Sequence, residues 1–333
     1  MTHLEETVQS PDFKDRKTGL VVFGVLQIIF GGFCALDVPL MILGMVASNV
    51  LGKSSAAPIS LRMMIPGILF YVLLAVWFIW MGIGSIKARR WARAILLVSS
   101  WLWLICGVGG LIFVLLFMSG MYDQMARNKQ MPQEMVLVMK FVMIGFMTVF
   151  YLIIPAAFVL FYGSKNVKAT CEFRDSHVRW TDKCPLPVLA VTIIFAFWAV
   201  SMLLTGLSGW LIPFFGSILS GLTGALVSLV AALLCLYIAW GTYKLRISAW
   251  WCSLLLTIVW ALSVVITFSR VSMSDFYEKM KLPEQQLEMM RNYVIPQSPI
   301  MPLFFGISFL GLLGYLLYTK RYFVNFPEQE KVT

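Results

Sequence analysis

MIPGILFYVLLAVWFIWMGIGSIKARRWARAILLVSSWLWLICGVGGLIFVLLF, residues 64–117, decides the fold. Two apolar runs flank a short turn that carries Lys87, Arg89, Arg90 and Arg93. The hydrocarbon core of a bilayer takes about 20 apolar residues of helix to cross. Inside it a chain must satisfy its own backbone hydrogen bonds, which a helix does. The cluster of fixed charge marks where the chain leaves the lipid before re-entering it. The stretch therefore predicts two spanning helices joined by a basic turn.

The same reading extends to the whole chain of 333 residues. Eight spans are predicted, at 19–41, 64–84, 94–117, 141–162, 186–209, 218–240, 249–269 and 300–318. Pro39 should bend the first, and a short turn around Pro213 and Gly216 should part the fifth from the sixth. Composition agrees: 60% of residues are hydrophobic, mean hydropathy is +0.84 and only 13% are charged. A soluble domain carries about 25% charged residues, so this chain lacks the polar surface to cover a globule in water. The first 18 residues hold four acids, Glu5, Glu6, Asp12 and Asp15, ahead of a long apolar stretch. A cleaved signal peptide is basic there with a shorter apolar region, so the first span is expected to be retained.

The positions of Lys and Arg set an orientation. The N-tail (Lys14, Arg16, Lys17), the turn after span two, the segment after span four (Lys165, Lys168, Arg174, Arg179, Lys183), the turn after span six (Lys244, Arg246) and the C-tail (Lys320, Arg321, Lys331) hold 17 of the 26. By the positive-inside rule both termini are expected in the cytoplasm. The formal net charge of +10 then reports topology, and no nucleic-acid partner is expected. Trp77, Trp80, Trp91, Trp101, Trp103, Trp210, Trp240, Trp250 and Trp251 lie mostly near span ends, as an interfacial belt does.

Two halves echo each other. Gly84-Ser-Ile-Lys87-Ala-Arg89 followed by Trp91 is matched by Gly241-Thr-Tyr-Lys244-Leu-Arg246 followed by Trp250. Met121-Tyr-Asp-Gln-Met125 is matched by Phe276-Tyr-Glu-Lys-Met280, Pro132-Gln-Glu134 by Pro283-Glu284, and Phe161-Tyr162-Gly-Ser-Lys165 by Leu317-Tyr318-Thr-Lys320. Four spans per copy keep both copies in one orientation, related by an axis along the membrane normal. The expected fold class is an all-α membrane protein of two tandem four-helix units. Its parts are a cytoplasmic tail (1–18), a first unit (19–168), a cytoplasmic connector (169–185), a second unit (186–322) and a second tail (323–333).

The turn Gly82, Gly84, Lys87, Arg89, Arg90, Trp91, Ala92, Arg93 and the segment from Arg179 through Asp182 and Cys184 to Pro187 resemble those of small bacterial multi-pass membrane proteins described as uncharacterised. The second turn departs from that pattern after Arg246. The resemblance implies a bacterial inner-membrane location and brings no activity with it.

Enzyme templates fail on inventory. His3 and His177 are the only histidines, both outside the spans, which removes an HExxH zinc site or a Ser–His pair within the membrane. Asp37 is the one acid within a span, and intramembrane ionisable residues are functional candidates. Its place near the outer end of span one, beside Pro39, reads better as a helix-end acid reaching water or a neighbouring backbone amide. Cys171, His177 and Cys184 could offer thiolate and imidazole to zinc, yet their spacing fits no standard site. Cys34, Cys106, Cys235 and Cys252 read as small apolar residues. Met131, Met135, Met139, Met143 and Met147 could ligate Cu(I), though spacing by four is also how a packed helical stripe reads. Gln27, Ser99, Ser100, Thr148, Thr192, Ser201, Thr205, Thr257 and Ser263 suit interhelical hydrogen bonds. No cofactor is expected.

The loops after spans three and seven are predicted to form matching amphipathic surface helices. Tyr122, Pro132, Glu134, Tyr277, Pro283 and Glu284 are the candidate partner surface, for another membrane protein or a second copy of this chain. The leading functional reading is a non-enzymatic interaction, assembly or accessory role; the alternative is a small-solute transporter with a site between the halves.

Overall fold

The computed structural model describes residues 13–51, 61–127, 132–271, 275, 279 and 300–329. In chain order these form α1 (Lys17–Leu51), α2 (Leu61–Ile86), α3 (Arg90–Arg127) and α4 (Gln133–Thr148). A π turn (Val149–Ile153) joins α4 to α5 (Ile154–Gly163), and α6 (Lys165–Arg174) and a 3-10 turn (Trp180–Lys183) follow. Then come α7 (Leu186–Leu204), a 3-10 turn (Thr205–Ser208), β1 (Ile212–Phe214), β2 (Ser217–Leu219), α8 (Gly221–Tyr243), α9 (Ile247–Arg270) and α10 (Ile300–Gln329).

Eight helices are long and apolar enough to cross a membrane: Lys17–Ala47, Met64–Ile86, Arg90–Leu115, Glu134–Gly163, Leu186–Leu207, Gly221–Tyr243, Ile247–Arg270 and Met301–Phe323. Each coincides with a predicted span. Their surfaces are inverted relative to a water-soluble protein. Leu160 and Leu222 are 76% and 78% exposed, whereas Ser228, Thr242, Ser253, Thr257 and Thr319 are fully buried. Apolar groups outside and hydroxyls inside is the arrangement that lipid selects. The chain is a multi-pass membrane protein.

Helix pairing follows chain order. α1 lies along α2, α3 against the α4–α5 helix, α7 along α8 and α9 against α10. The first pair meets through glycine. A Cβ on Gly24 would stand 2.8 Å from the Gly82 carbonyl, and one on Gly82 would stand 2.6 Å from that of Gly24. Gly31 faces the Ala75 carbonyl in the same way, so the two backbones touch along a seam of small residues. α7 and α8 meet instead through hydroxyls, Thr192 to Thr242 at 3.1 Å and Thr205 to Ser228 at 3.2 Å.

Four features depart from the expectations. α1 runs unbroken through Pro39 to Leu51, so Asp37 lies within a helix and not at its end. It is half-buried and stands about 30 Å along the axis from Lys17, one bilayer core away from the basic end. The boundary between spans five and six is a β-hairpin, not a simple turn. Ile212 pairs with Leu219, Pro213 with Ile218 and Phe214 with Ser217. Phe215 and Gly216 between the strands have φ of 42° and 91°, the double left-handed pattern of a type I′ turn. α9 holds that turn, since Ser263 and Thr267 accept the Phe215 and Gly216 amides at 3.0 Å.

The fourth span is interrupted by the π turn, whose extra residue pushes the Tyr151 carbonyl toward α3. There Gly107 admits it, because any Cβ at that position would overlap the Tyr151 backbone. Finally, residues 118–127 continue α3, and residues from Gln133 onward belong to the fourth span. Tyr122 thus lies within α3, and Pro132 caps α4 with Glu134 exposed in its first turn. The first of the two expected surface segments is helical, but as a continuation of α3 and the first turn of α4 rather than as a separate helix. Tyr277, Pro283 and Glu284 lie outside the described residues. A short amphipathic helix outside the spans does occur, at the basic end: α6 buries Val167, Thr170 and Cys171 and turns its charges outward.

Candidate functional site on the basic face

Two turns organise the basic end. After α2, Ala88 takes φ of 49°; after α8, Leu245 takes φ of 55°. In each, three amides close onto the preceding helix: Lys87 to Ile83, Ala88 to Ser85 and Arg89 to Gly84 in the first, Lys244 to Trp240, Leu245 to Thr242 and Arg246 to Gly241 in the second. Gly84 faces the Ala92 methyl and Gly241 the Ala249 methyl, so closely that neither tolerates a Cβ. The hydroxyl two residues before each lysine is buried and bonded to the first helix of its own half, Ser85 to the Leu20 carbonyl at 2.9 Å and Thr242 to Thr192. This register aligns Arg93, rather than Trp91, with Trp250. At the same offset along the chain, Tyr162 and Thr319 are both fully buried, whereas Tyr318 is 48% exposed.

Over the first turn lies the connector. Asp175, at the C-terminal end of α6, has a side chain only 1% exposed. Its carboxylate accepts two bonds from Arg179 (3.0 and 2.9 Å), one from the Arg90 amide (3.3 Å) and one from Arg89 (3.4 Å). It therefore caps the N-terminus of α3 from a distant segment, where negative charge is favoured. Burial pushes this carboxyl up, but the bonds from Arg179 and the Arg90 amide and the nearby guanidinium charges outweigh it and hold its pKa below the usual carboxylate value. Asp15 is likewise held low by its bond from Arg174. The connector also reaches the second turn, where Tyr243 donates its hydroxyl to the Trp180 carbonyl at 3.1 Å.

Between α3, α6 and the 3-10 turn is a cavity of about 240 Å³. Arg90, Arg93 and Lys168 bring positive charge to its wall, and Glu172 and Asp182 bring negative charge. Lys168 stands 3.8 Å from Glu172, and Arg90 stands 3.9 Å from Asp182. Among the described residues Arg93 has no such partner. A second, shallower hollow of about 520 Å³ lies on the other side of Asp175, bordered by Lys17, Lys87, Arg89 and Arg174.

The candidates read from sequence separate here. Cys171 and Cys184 both border the smaller cavity, but His177 is exposed away from it. Burial pushes the Cys171 thiol up to about 11 and the Cys184 thiol up to about 12. No cluster of three or more His, Cys, Asp or Glu with metal-binding geometry occurs among the described residues. Among the methionines, Met135 is exposed on α4, and Met131 lies outside the described residues. Asp175 is the residue that sequence reasoning passed over. Its only signal was an acid placed four residues before an arginine in a basic segment. No known protein family, curated protein or solved structure matches this chain.

Proposed function

We propose that this chain is a non-enzymatic membrane protein with an interaction, assembly or accessory role, seated in the cell membrane of a bacterium with both termini in the cytoplasm. The observation that carries this reading is the state of the polar groups within the spans. The hydroxyls there are bonded within the protein. Ser100, Ser201 and Thr257 bond back to the Leu96, Phe197 and Ser253 carbonyls of their own helices, and Ser263 bonds across to the Pro213 carbonyl. Thr192, Thr205, Ser228 and Thr242 bond to one another in pairs. The concave sites with converging charge lie instead at the basic end, where a soluble or membrane partner has access.

The two turns with the same left-handed residue, the same three amide bonds and the same glycine–alanine contact support an origin by duplication of a four-helix unit. The like orientation of both turns is the one a pseudo-two-fold axis along the membrane normal requires. Reporter fusions after Lys17 and Arg174 are expected to read cytoplasmic, and a fusion near Gly120 is expected to read outside. Gentle extraction from native membrane, with mass spectrometry of what remains bound, tests the role. Recovery of a stoichiometric protein partner supports it. A monomer that moves a solute across reconstituted vesicles would replace it with the transporter reading.

A further inference from the structure

Among the described residues, the buried side-chain polar atoms that find no hydrogen-bond partner are Gln27 Oε1, Arg90 Nε, Arg93 Nε and Thr181 Oγ1. Three of the four line one cavity, the 240 Å³ space between α3, α6 and the 3-10 turn. Thr181 is only 2% exposed. An unsatisfied buried polar group costs about 1–3 kcal/mol, more when charged, and such groups are rarely left in a native structure without a reason. All three can donate, and the residues that carry them border one space, a setting that suits an acceptor-rich, negatively charged group.

We propose that this cavity binds a phosphate group, held by the guanidinium groups of Arg90 and Arg93 and the hydroxyl of Thr181. Guanidinium forks suit the tetrahedral oxygens of phosphate, and the N-terminal end of the long helix α3 adds favourable potential. Arg90, Arg93 and Lys168 against Glu172 and Asp182 leave one net positive charge on the wall, which balances a monoanionic phosphodiester. The level is also right for one. Ala94 and Leu186, at the start of the third and fifth spans, form the apolar side of the cavity, the depth at which phospholipid headgroups meet protein. Basic pockets between spanning helices are a known mode of headgroup binding. Two sources offer this chemistry, a lipid headgroup or free phosphate, and the site is independent of any assembly role.

The test is melting of the delipidated protein in an uncharged detergent, followed by tryptophan fluorescence. One arm titrates inorganic phosphate and the other dihexanoylphosphatidylglycerol, against chloride at equal ionic strength and a phosphate-free short-chain diacylglycerol. A saturable rise in Tm is expected. Arg93→Gln should raise the half-saturating concentration at least about tenfold and Thr181→Val about fivefold, as loss of a charged and a neutral hydrogen bond implies. Lys244→Gln, an exposed charge on the second turn, should leave it unchanged. A response in both arms assigns the site to phosphate at large, and a response to the lipid alone assigns it to a headgroup; either supports the proposal. It is overturned if neither probe exceeds its control, if both cavity variants respond as the wild type does, or if Lys244→Gln weakens binding as much as they do. Should Arg93→Gln fail to fold, Thr181→Val decides by the same measure.

Discussion

The two basic turns share a backbone and differ in how each deals with its charges. At the first, arginines meet acids supplied by the connector: Arg89 and Arg179 meet Asp175, and Arg90 meets Asp182. At the second, cations lie on aromatic faces. Arg246 sits 4.2 Å from the Trp240 ring, and Lys320 sits 5.3 and 5.4 Å from those of Trp250 and Trp251. The decisive pair is Arg93 and Trp250. Trp250 is fully buried and donates its indole N–H to the Leu316 carbonyl at 2.8 Å. Arg93, at the same place in the first turn, borders a cavity and leaves its Nε unpartnered among the described residues. One turn is sealed and the other is left able to receive something. The two turns thus close with the same backbone bonds and carry different side chains at this place.

Exchanging the two solutions should break the comparison most visibly. Trp250→Arg places a guanidinium in a sealed, apolar position and removes the indole bond to the Leu316 carbonyl. We expect a loss of about 4 kcal/mol or more, read as a collapse of Tm in detergent or no recoverable folded protein. A melt within a few degrees of the wild type would show that the second turn is not sealed as described. Asp175→Asn should cost about 2 kcal/mol, since the acid is buried but its arginines are part-exposed. The same group gives a pH dependence. Its folded pKa is depressed, so its contribution is complete above the unfolded value of about 3.9 and is lost as pH falls below it. Wild-type Tm should thus drop below about pH 4, and Asp175→Asn should remove part of that drop. Equal slopes for both proteins would argue against the cap.

Smaller effects sharpen the contrast. Arg93→Leu, without phosphate, should leave stability unchanged or raise it by about 1 kcal/mol, because it removes a desolvated charge that lacks a partner. A loss of several kcal/mol would mean that Arg93 is a structural strut. Ala88→Gly should change stability by less than about 0.5 kcal/mol, relief of the left-handed conformation offsetting the lost methyl and the added chain entropy.

The eight spans were legible because lipid imposes one condition on every residue of a span, and twenty apolar residues in a row satisfy it whatever their order. The basic turns were legible because Lys and Arg end such runs. What escaped depends on contacts between distant segments. Val149–Ile153 reads like any other apolar stretch, and only Gly107 on the neighbouring helix reveals that the carbonyl of Tyr151 needs room. The strands of three residues at Ile212–Phe214 and Ser217–Leu219 are too short to show an alternating pattern. α6 has too polar a buried face, with Thr170 and Cys171, to announce itself. Asp175 stands in a run of charges that reads as solvated, and becomes a cap only because α3 begins beside it. Cys171 and Cys184 stand close together in a short basic segment and both border the cavity, whereas His177, between them in sequence, is exposed away from it.

Helix length carries a further consequence. The spans Lys17–Ala47 and Glu134–Gly163 have 31 and 30 residues, while those of the second half have 22 to 24. At about 1.5 Å per residue, the long pair reaches about 45 Å and the second half about 33–36 Å, against a hydrocarbon core of about 30 Å. Lipid beside these two helices must thicken, or the helices must lean, and either costs energy that grows with the mismatch. The two long spans stand among six others of 22 to 26 residues, which meet the same core with less adjustment.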